Sequence, residues 1–232
     1  MRLYLLLLFF FIARFCSAQS YYYMRGYNDY KIKTVTPVIG QRNPFTTDLL
    51  HHWRLQYPVK RKFNILAQYS RLTGWTGFSF DYPDASFAGH GSGYTKLKRY
   101  GVGLTYDFTI VKKWIYCYPI MKVDYEKWDV QSDGISIASV INDKRLQGTV
   151  SVQTYEGYQL LPSLGAGAEI RLFWKIYLKG EVYYSFGIKK SQSMYFDYVF
   201  DGVQQPRAEW YSDGTGFVKS FGIGINFNED RK

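Results

Sequence analysis

Cysteine is scarce in this chain: two residues, Cys16 and Cys117, occur in 232. We expect Cys16 to leave with an N-terminal export segment, so that Cys117 remains alone and the fold uses no intramolecular disulfide. Histidine is also rare, with three residues, and no spacing matches a metal-binding motif. The sequence therefore predicts neither a metal site nor a bound cofactor.

Long apolar runs are absent after residue 18, so no transmembrane helix is predicted there. The one apolar run, 3–13, follows Met1-Arg2 and is too short to span a bilayer, which is typical of a signal peptide. Small residues before position 19 predict cleavage after Ala18, which leaves 19–232 as a single domain. A lipoprotein cut before Cys16 is the alternative, but Phe15 stands where a small residue is needed.

The rest of the chain alternates between apolar and polar residues with a period of two, which indicates β-strands. The clearest segments are 101–110, 163–172, 176–189 and 217–227. In the first, apolar residues occupy the even positions, and small or polar residues occupy the odd ones. A water-soluble sheet with one buried face would alternate in the same way. These segments, however, have the length of about ten residues that a tilted membrane strand requires.

Eight strands are predicted, at 27–39, 48–57, 62–82, 94–110, 114–130, 157–173, 176–190 and 215–227. Tight connections at 58–61, 111–113 and 174–175 alternate with longer ones at 40–47, 83–93, 131–156 and 191–214. The first strand alternates poorly and contains Pro37, which favours an edge or a bend. Without it, seven strands would remain, an odd number that a bacterial barrel of this kind does not have.

The predicted fold class is all-β: an eight-stranded antiparallel up-and-down transmembrane β-barrel with short periplasmic turns and longer extracellular loops. Aromatic residues make up 20% of the chain, and such barrels use aromatic girdles where lipid meets water. We expect the barrel in the outer membrane of a Gram-negative bacterium. The net charge of +10 then predicts anionic outer-membrane lipid, including lipopolysaccharide, as a partner, and no nucleic acid.

The closing segment 221–227 places Phe221, Ile223, Ile225 and Phe227 on one face of the last strand. Together with the export segment and the alternating strands, this pattern resembles the small outer-membrane barrels of the OmpA and OmpX type, especially those of Bacteroidetes. The resemblance implies that these four residues form the C-terminal signal that the barrel-assembly machinery recognises. Residues 228–232 follow Phe227, whereas the usual signal ends the chain.

The interior of an eight-stranded barrel is barely wide enough for its own side chains. Charges of both signs on the inward faces should pair there, because an unpaired buried charge is very costly. We therefore predict a polar network that plugs the lumen, formed by Arg54, Asp107, Lys122, Asp124, Glu126, Glu169, Arg171, Lys179 and Glu181. A narrow pore for ions or small solutes is the alternative. Inward tyrosines favour the plug, namely Tyr116, Tyr118, Tyr177 and Tyr183.

The three histidines are the residues from which catalysis would be expected. His90 lies among Ser and Asp residues in the predicted loop 83–93, where a Ser–His pair aided by a carboxylate would suit a lipid A-modifying enzyme. His51 and His52 are adjacent on a strand, so they face opposite sides. None of these arrangements has a diagnostic spacing. We predict no catalytic residues and keep the enzyme as an alternative.

Loops on a rigid scaffold usually carry recognition. Segments 131–156 and 191–214 predict hairpins that project beyond the membrane. Candidate recognition residues are the aromatic ones of the second hairpin: Tyr195, Tyr198, Phe200, Trp210 and Tyr211. Two outward basic residues, Arg71 and Lys219, can reach lipid headgroups or lipopolysaccharide phosphates. The predicted role is a structural or binding component of the envelope, with another envelope protein as a candidate partner.

The export hypothesis predicts the N-terminus of the mature protein. Cleavage after Ala18 should leave a chain that begins at Gln19, which the intact mass of protein purified from outer membranes would measure. A chain that begins at Cys16 and carries lipid mass, or one that keeps residues 1–18, would contradict it.

Overall fold

A computed structural model describes residues 20–36, 46–60, 62–81, 86–131, 135–141, 143–154 and 158–227. They form the strands β1 (Ser20–Thr36), β2 (Thr46–Pro58), β3 (Phe63–Asp81), β4 (Ser86–Tyr106), β5 (Phe108–Val111), β6 (Ile115–Gln131), β7 (Ile135–Ile141), β8 (Lys144–Thr154), β9 (Tyr158–Phe173), β10 (Ile176–Ser185), β11 (Gln192–Phe200), β12 (Val203–Gln204) and β13 (Ala208–Asn226). These ranges contain no helix that is long and apolar enough to cross a membrane. The predicted signal segment 1–18 lies outside them.

Eight of these strands close into an antiparallel barrel in the order β1, β2, β3, β4, β6, β9, β10 and β13. Strand β13 then pairs with β1 and completes the circle. The short β5 continues β4 beyond a break at Asp107 and pairs with β6. The first predicted strand therefore belongs to the barrel. It begins at Ser20 rather than at residue 27, and Tyr22 pairs with both Arg54 and Gly224.

The barrel strands are strongly tilted. Through successive paired residues, Ser163 of β9 connects to Ser20 of β1 in one direction and to Tyr30 of β1 in the other. Closing eight strands with this ten-residue stagger requires a tilt of about 40° to the barrel axis. A row of paired residues therefore climbs obliquely around the wall.

The wall is inverted relative to a water-soluble protein. The apolar residues of 101–110, 163–172 and 217–227 lie on the outside, where Val102 is 64% exposed and Phe221 is 61% exposed. The alternate residues point to the interior, where Asp124 and Glu169 are fully buried. A soluble sheet would bury the other face. The exposed apolar band is the surface that hydrocarbon covers, so the chain forms a transmembrane barrel.

The two ends of the barrel differ. The end that holds the connections 59–62, 112–114 and 174–175, together with Ser20 and Asn226, is termed the turn end. Lys113 and Trp174 adopt positive φ angles of 69° and 46° there, because a tight reversal requires the left-handed conformation. The opposite end is termed the hairpin end.

At the hairpin end the sheet continues beyond the barrel. Strand β11 takes the place of β10 beside β13, and β8 and β7 follow it. The hairpin predicted within 131–156 is present as β7 and β8, and Asp143 in its turn has a φ of 61°. Segment 191–214 contains β11, β12 and the first part of β13, which begins at Ala208 rather than at residue 215.

The loop predicted at 83–93 is wrong from residue 86 onward. Strand β4 begins at Ser86 and pairs with Asp81 of β3, and His90 pairs with Gly77. The sequence there has no apolar face, so no alternation marked it, yet backbone hydrogen bonds need no apolar face once β3 lies alongside. The predicted connection 40–47 lies mostly outside the described residues.

The β1–β13 seam predicts a sensitive glycine. A Cβ atom at Gly224 would overlap the Tyr22 ring and the Tyr21 carbonyl oxygen. We expect Gly224→Ala to destabilise the barrel by about 1–3 kcal/mol and to lower its thermal midpoint, measured by circular dichroism in detergent. Gly180→Ala is the matched control, because the nearest atom to its Cβ would lie 3.8 Å away on Phe221. Equal midpoints for the two variants would argue against a close seam.

Candidate functional site

The centre of the lumen holds a group of paired charges around Glu181, which we term the central ion cluster. Arg54 reaches from β2 to β10, and its Nη2 lies 2.6 Å from Oε2 of Glu181. Tyr118 of β6 donates a hydrogen bond of 2.9 Å to the same carboxylate. Lys179 lies 2.6 Å from Glu169 and 3.6 Å from Glu181, measured from Nζ to Oε1. The cluster thus links four strands through the interior.

Aromatic rings surround Lys179 in the barrel interior. Its Nζ lies 4.0 Å from the ring centre of Tyr22 and 4.5 Å from that of Tyr118, distances that suit cation–π attraction. A buried apolar group of Tyr22, Met24, Tyr116 and Tyr177 packs in the same barrel. The lysine charge is therefore balanced by two carboxylates and two ring faces.

Two further ion pairs fill the lumen. Nε of Arg99 donates to Oε2 of Glu126 at 3.0 Å, and both side chains are fully buried. Nζ of Lys122 lies 2.9 Å from Oδ2 of Asp124 and 3.7 Å from the ring centre of Tyr183. Each positive charge has its acid on the same or the neighbouring strand, so the pairing is set locally by the register.

His52 occupies the interior beside Ser70. Its Nδ1 lies 2.7 Å from Oγ of Ser70 and 3.1 Å from Nε2 of Gln68, and the three side chains are buried. His51 points outward, as the adjacency of the two histidines predicts. The described partners of His52 include no acid, and the side chain of His90 lies outside the described residues.

Of the nine residues predicted for the lumen network, eight are buried in the barrel. Among them, Asp107 accepts a hydrogen bond of 3.0 Å from Asn64. Arg171 is the exception: it is only partly buried, and its part in the network stays a prediction. It lies at the turn end, where its Nε donates to the Trp174 carbonyl oxygen at 2.7 Å, because β9 ends two residues later and the wall no longer encloses it.

Sequence reasoning missed several interior polar residues, among them His52, Gln56, Gln68 and Arg99. Arg99 lies two residues before Gly101, on the same strand face, so extending the alternation of 101–110 backwards would have found it. Gln56 accepts a hydrogen bond of 3.0 Å from Lys179, a contact across the lumen that no local pattern carries.

Two of the predicted recognition residues are buried. Tyr198 and Trp210 are 2% and 1% exposed, and the Tyr198 ring stacks on Phe196 with centroids 4.8 Å apart. Strands β11 and β13 continue the wall, so alternate residues turn inward there as well. Tyr195, Phe200 and Tyr211 remain partly exposed.

The closing residues Phe221, Ile223, Ile225 and Phe227 all lie exposed on the outer face of the last strand segment. This placement leaves them accessible beside β1, with which β13 pairs. Their role as an assembly signal stays a prediction. Among the residues that the structure describes, no group of three or more His, Cys, Asp or Glu side chains could hold a metal ion.

An apolar exterior around an ion-paired interior defines a small β-barrel of the outer-membrane type. No family model and no curated protein matches the sequence. Similar solved structures include a major outer membrane protein from Thermus thermophilus, with 11% identity over 90% of this chain and 99% of that chain and a TM-score of 0.46. Neisserial surface protein A has 11% identity over 88% of this chain and 96% of that chain, with a TM-score of 0.43. The Escherichia coli outer membrane protease OmpT has 10% identity over 90% of this chain and 96% of that chain, with a TM-score of 0.40. Likenesses of this size carry no information about activity.

The central ion cluster predicts a non-additive pair of variants. Arg54→Met should lower the free energy of unfolding by about 3 kcal/mol, because Glu181 stays buried and loses the closer of its two described cations. Arg54→Met/Glu181→Met removes both charges and should recover most of that loss. Urea titration of the refolded barrel in detergent measures both. A double variant less stable than the single one would contradict the pairing.

Proposed function

We propose that this protein is a non-enzymatic outer-membrane barrel with a closed lumen, acting as a structural or binding component of the envelope. The central ion cluster is the observation that carries the proposal. Its side chains meet from four strands and are fully buried. Opening a path would separate Arg54 from Glu181 and leave charges unpaired in a low-dielectric interior, which costs several kcal/mol.

The histidine chemistry supports a role without catalysis. His52 and Ser70 are 0% exposed, so a substrate has no access to the pair. Their shared partner is Gln68, whose neutral amide cannot stabilise an imidazolium as a carboxylate would.

The binding part of the proposal is supported by the sheet at the hairpin end. Its outer face carries ion pairs, such as the two-bonded pair of Arg207 and Asp197 at 2.7 and 2.8 Å. Lys33 donates to Asp213 at 2.6 Å, and this hydrogen bond raises the pKa of Lys33. Buried residues such as Phe196 form the other face, so the sheet is a platform with a polar outer surface. We place this platform on the extracellular side.

Electrical recording tests the closed lumen. Purified mature protein in planar lipid bilayers should give no unitary current steps at neutral pH, because the ion pairs and tyrosines occupy the cross-section. A variant with Arg54→Ser, Glu169→Ser, Lys179→Ser and Glu181→Ser removes the charges of the cluster together and serves as the open control. Regular current steps from the unaltered protein would replace this proposal with the pore.

A further inference from the structure

Five basic residues form a continuous row on the outer wall, which we term the basic ladder. Arg25, His51, Arg71, Lys98 and Lys127 lie on β1, β2, β3, β4 and β6, and each pairs directly in register with the next. All face away from the lumen; His51 is partly exposed and the other four are exposed.

An aromatic row runs beside the ladder, two residues away along each strand. Tyr23, Trp53, Tyr69, Tyr100 and Tyr125 pair in the same order. Their ring centroids lie 5.7, 5.6 and 5.2 Å apart along the first three steps. The Tyr23 hydroxyl lies 2.6 Å from Nδ1 of His51, which joins the two rows. On each of the five strands, an aromatic residue therefore occupies the outward-facing position next to a basic residue.

The ladder is electrostatically unfavourable by itself. Like charges directly opposite each other on neighbouring strands repel, because their Cβ atoms are about 5 Å apart. Within the described residues, no ion pair joins Arg25, Arg71, Lys98 or Lys127 to an acid. Lys219, also on the outer wall, lies 3.8 Å from Asp29. The chain thus neutralises an isolated outer cation and leaves the row of cations to an external anion.

We propose that the basic ladder binds the phosphates of a membrane lipid with two phosphates and several acyl chains. Neighbouring strands are about 4.8 Å apart, so the row is about 20 Å long, more than one phosphate needs. Arginine and lysine form charge-assisted hydrogen bonds with phosphate oxygens. The aromatic row lies on the turn-end side of the ladder, where acyl chains below such a headgroup would lie.

The tilt of the strands makes the two ends of the ladder unequal. Arg25 lies five residues from the start of β1, whereas Lys127 lies twelve residues from the start of β6. The β1 end is therefore closer to the turn end and deeper in the bilayer, where a bare cation costs more. The long arginine stem reaches toward the headgroups, and a lipid phosphate drawn toward it offsets the cost. The inference does not depend on whether the lumen conducts.

Lipid titration followed by native mass spectrometry tests the proposal. The detergent-solubilised mature barrel is titrated with diphosphoryl lipid A, monophosphoryl lipid A and phosphatidylglycerol. Diphosphoryl lipid A should bind most tightly, and added salt should weaken it. Arg71→Gln/Lys98→Gln should reduce this affinity about tenfold or more and remove the preference for two phosphates.

Lys112→Gln/Lys113→Gln is the matched control, because it removes the same charge from the turn end and should leave lipid binding unchanged. Circular dichroism verifies that each variant is folded. The lipid preference and the salt dependence are measured on the unaltered protein, so they test the proposal even if a variant does not fold. Equal binding of the three lipids, or equal loss in both double variants, would overturn the proposal. Co-purification of an acidic protein that is lost in Arg71→Gln/Lys98→Gln, while the lipid affinity of this variant is unchanged, would also overturn it.

Discussion

The pairing of Arg54 with Glu181, whose side chains are fully buried in the barrel, is the interaction on which the rest of the structure depends. Hydrocarbon around the barrel excludes charges from most of the outer wall, so inward positions carry them, and each needs a partner. The need to keep charges inside and apolar residues outside also fixes the register, because a slip of one residue on any strand would turn its charges toward lipid and its apolar residues inward. The stability of the barrel and the register of its strands therefore rest on one constraint.

The constraint changes beyond the barrel. At the hairpin end the same strands leave the hydrocarbon, and the sheet there has an aromatic inner face with Phe196, Tyr198 and Trp210 and an ion-paired outer face. Water replaces lipid as the surrounding medium, so apolar residues face inward as in a soluble protein. One continuous sheet thus reverses its polarity along its length, which explains why aromatic residues in a predicted loop proved to be core.

The basic ladder on the outer wall is also a product of the strand register. The residues of the basic ladder are separated by about 20 to 30 positions in sequence, and only the strand register aligns them. The stagger that closes the barrel also inclines the row to the membrane. A charge pattern that looks scattered along the chain is therefore a single surface on the folded molecule.

The sequence by itself determined the strands that alternate clearly and most of the interior charges, because side-chain direction in a strand has a local period of two. The pairing of strands in the tertiary structure decided the other features. It brought residues 20–26 and 86–93 into the sheet, left Arg171 at the turn end with a backbone partner, and buried Tyr198 and Trp210. These outcomes depend on which strands lie side by side, where the wall ends and how far it is staggered. Such long-range contacts leave no periodic trace in the chain.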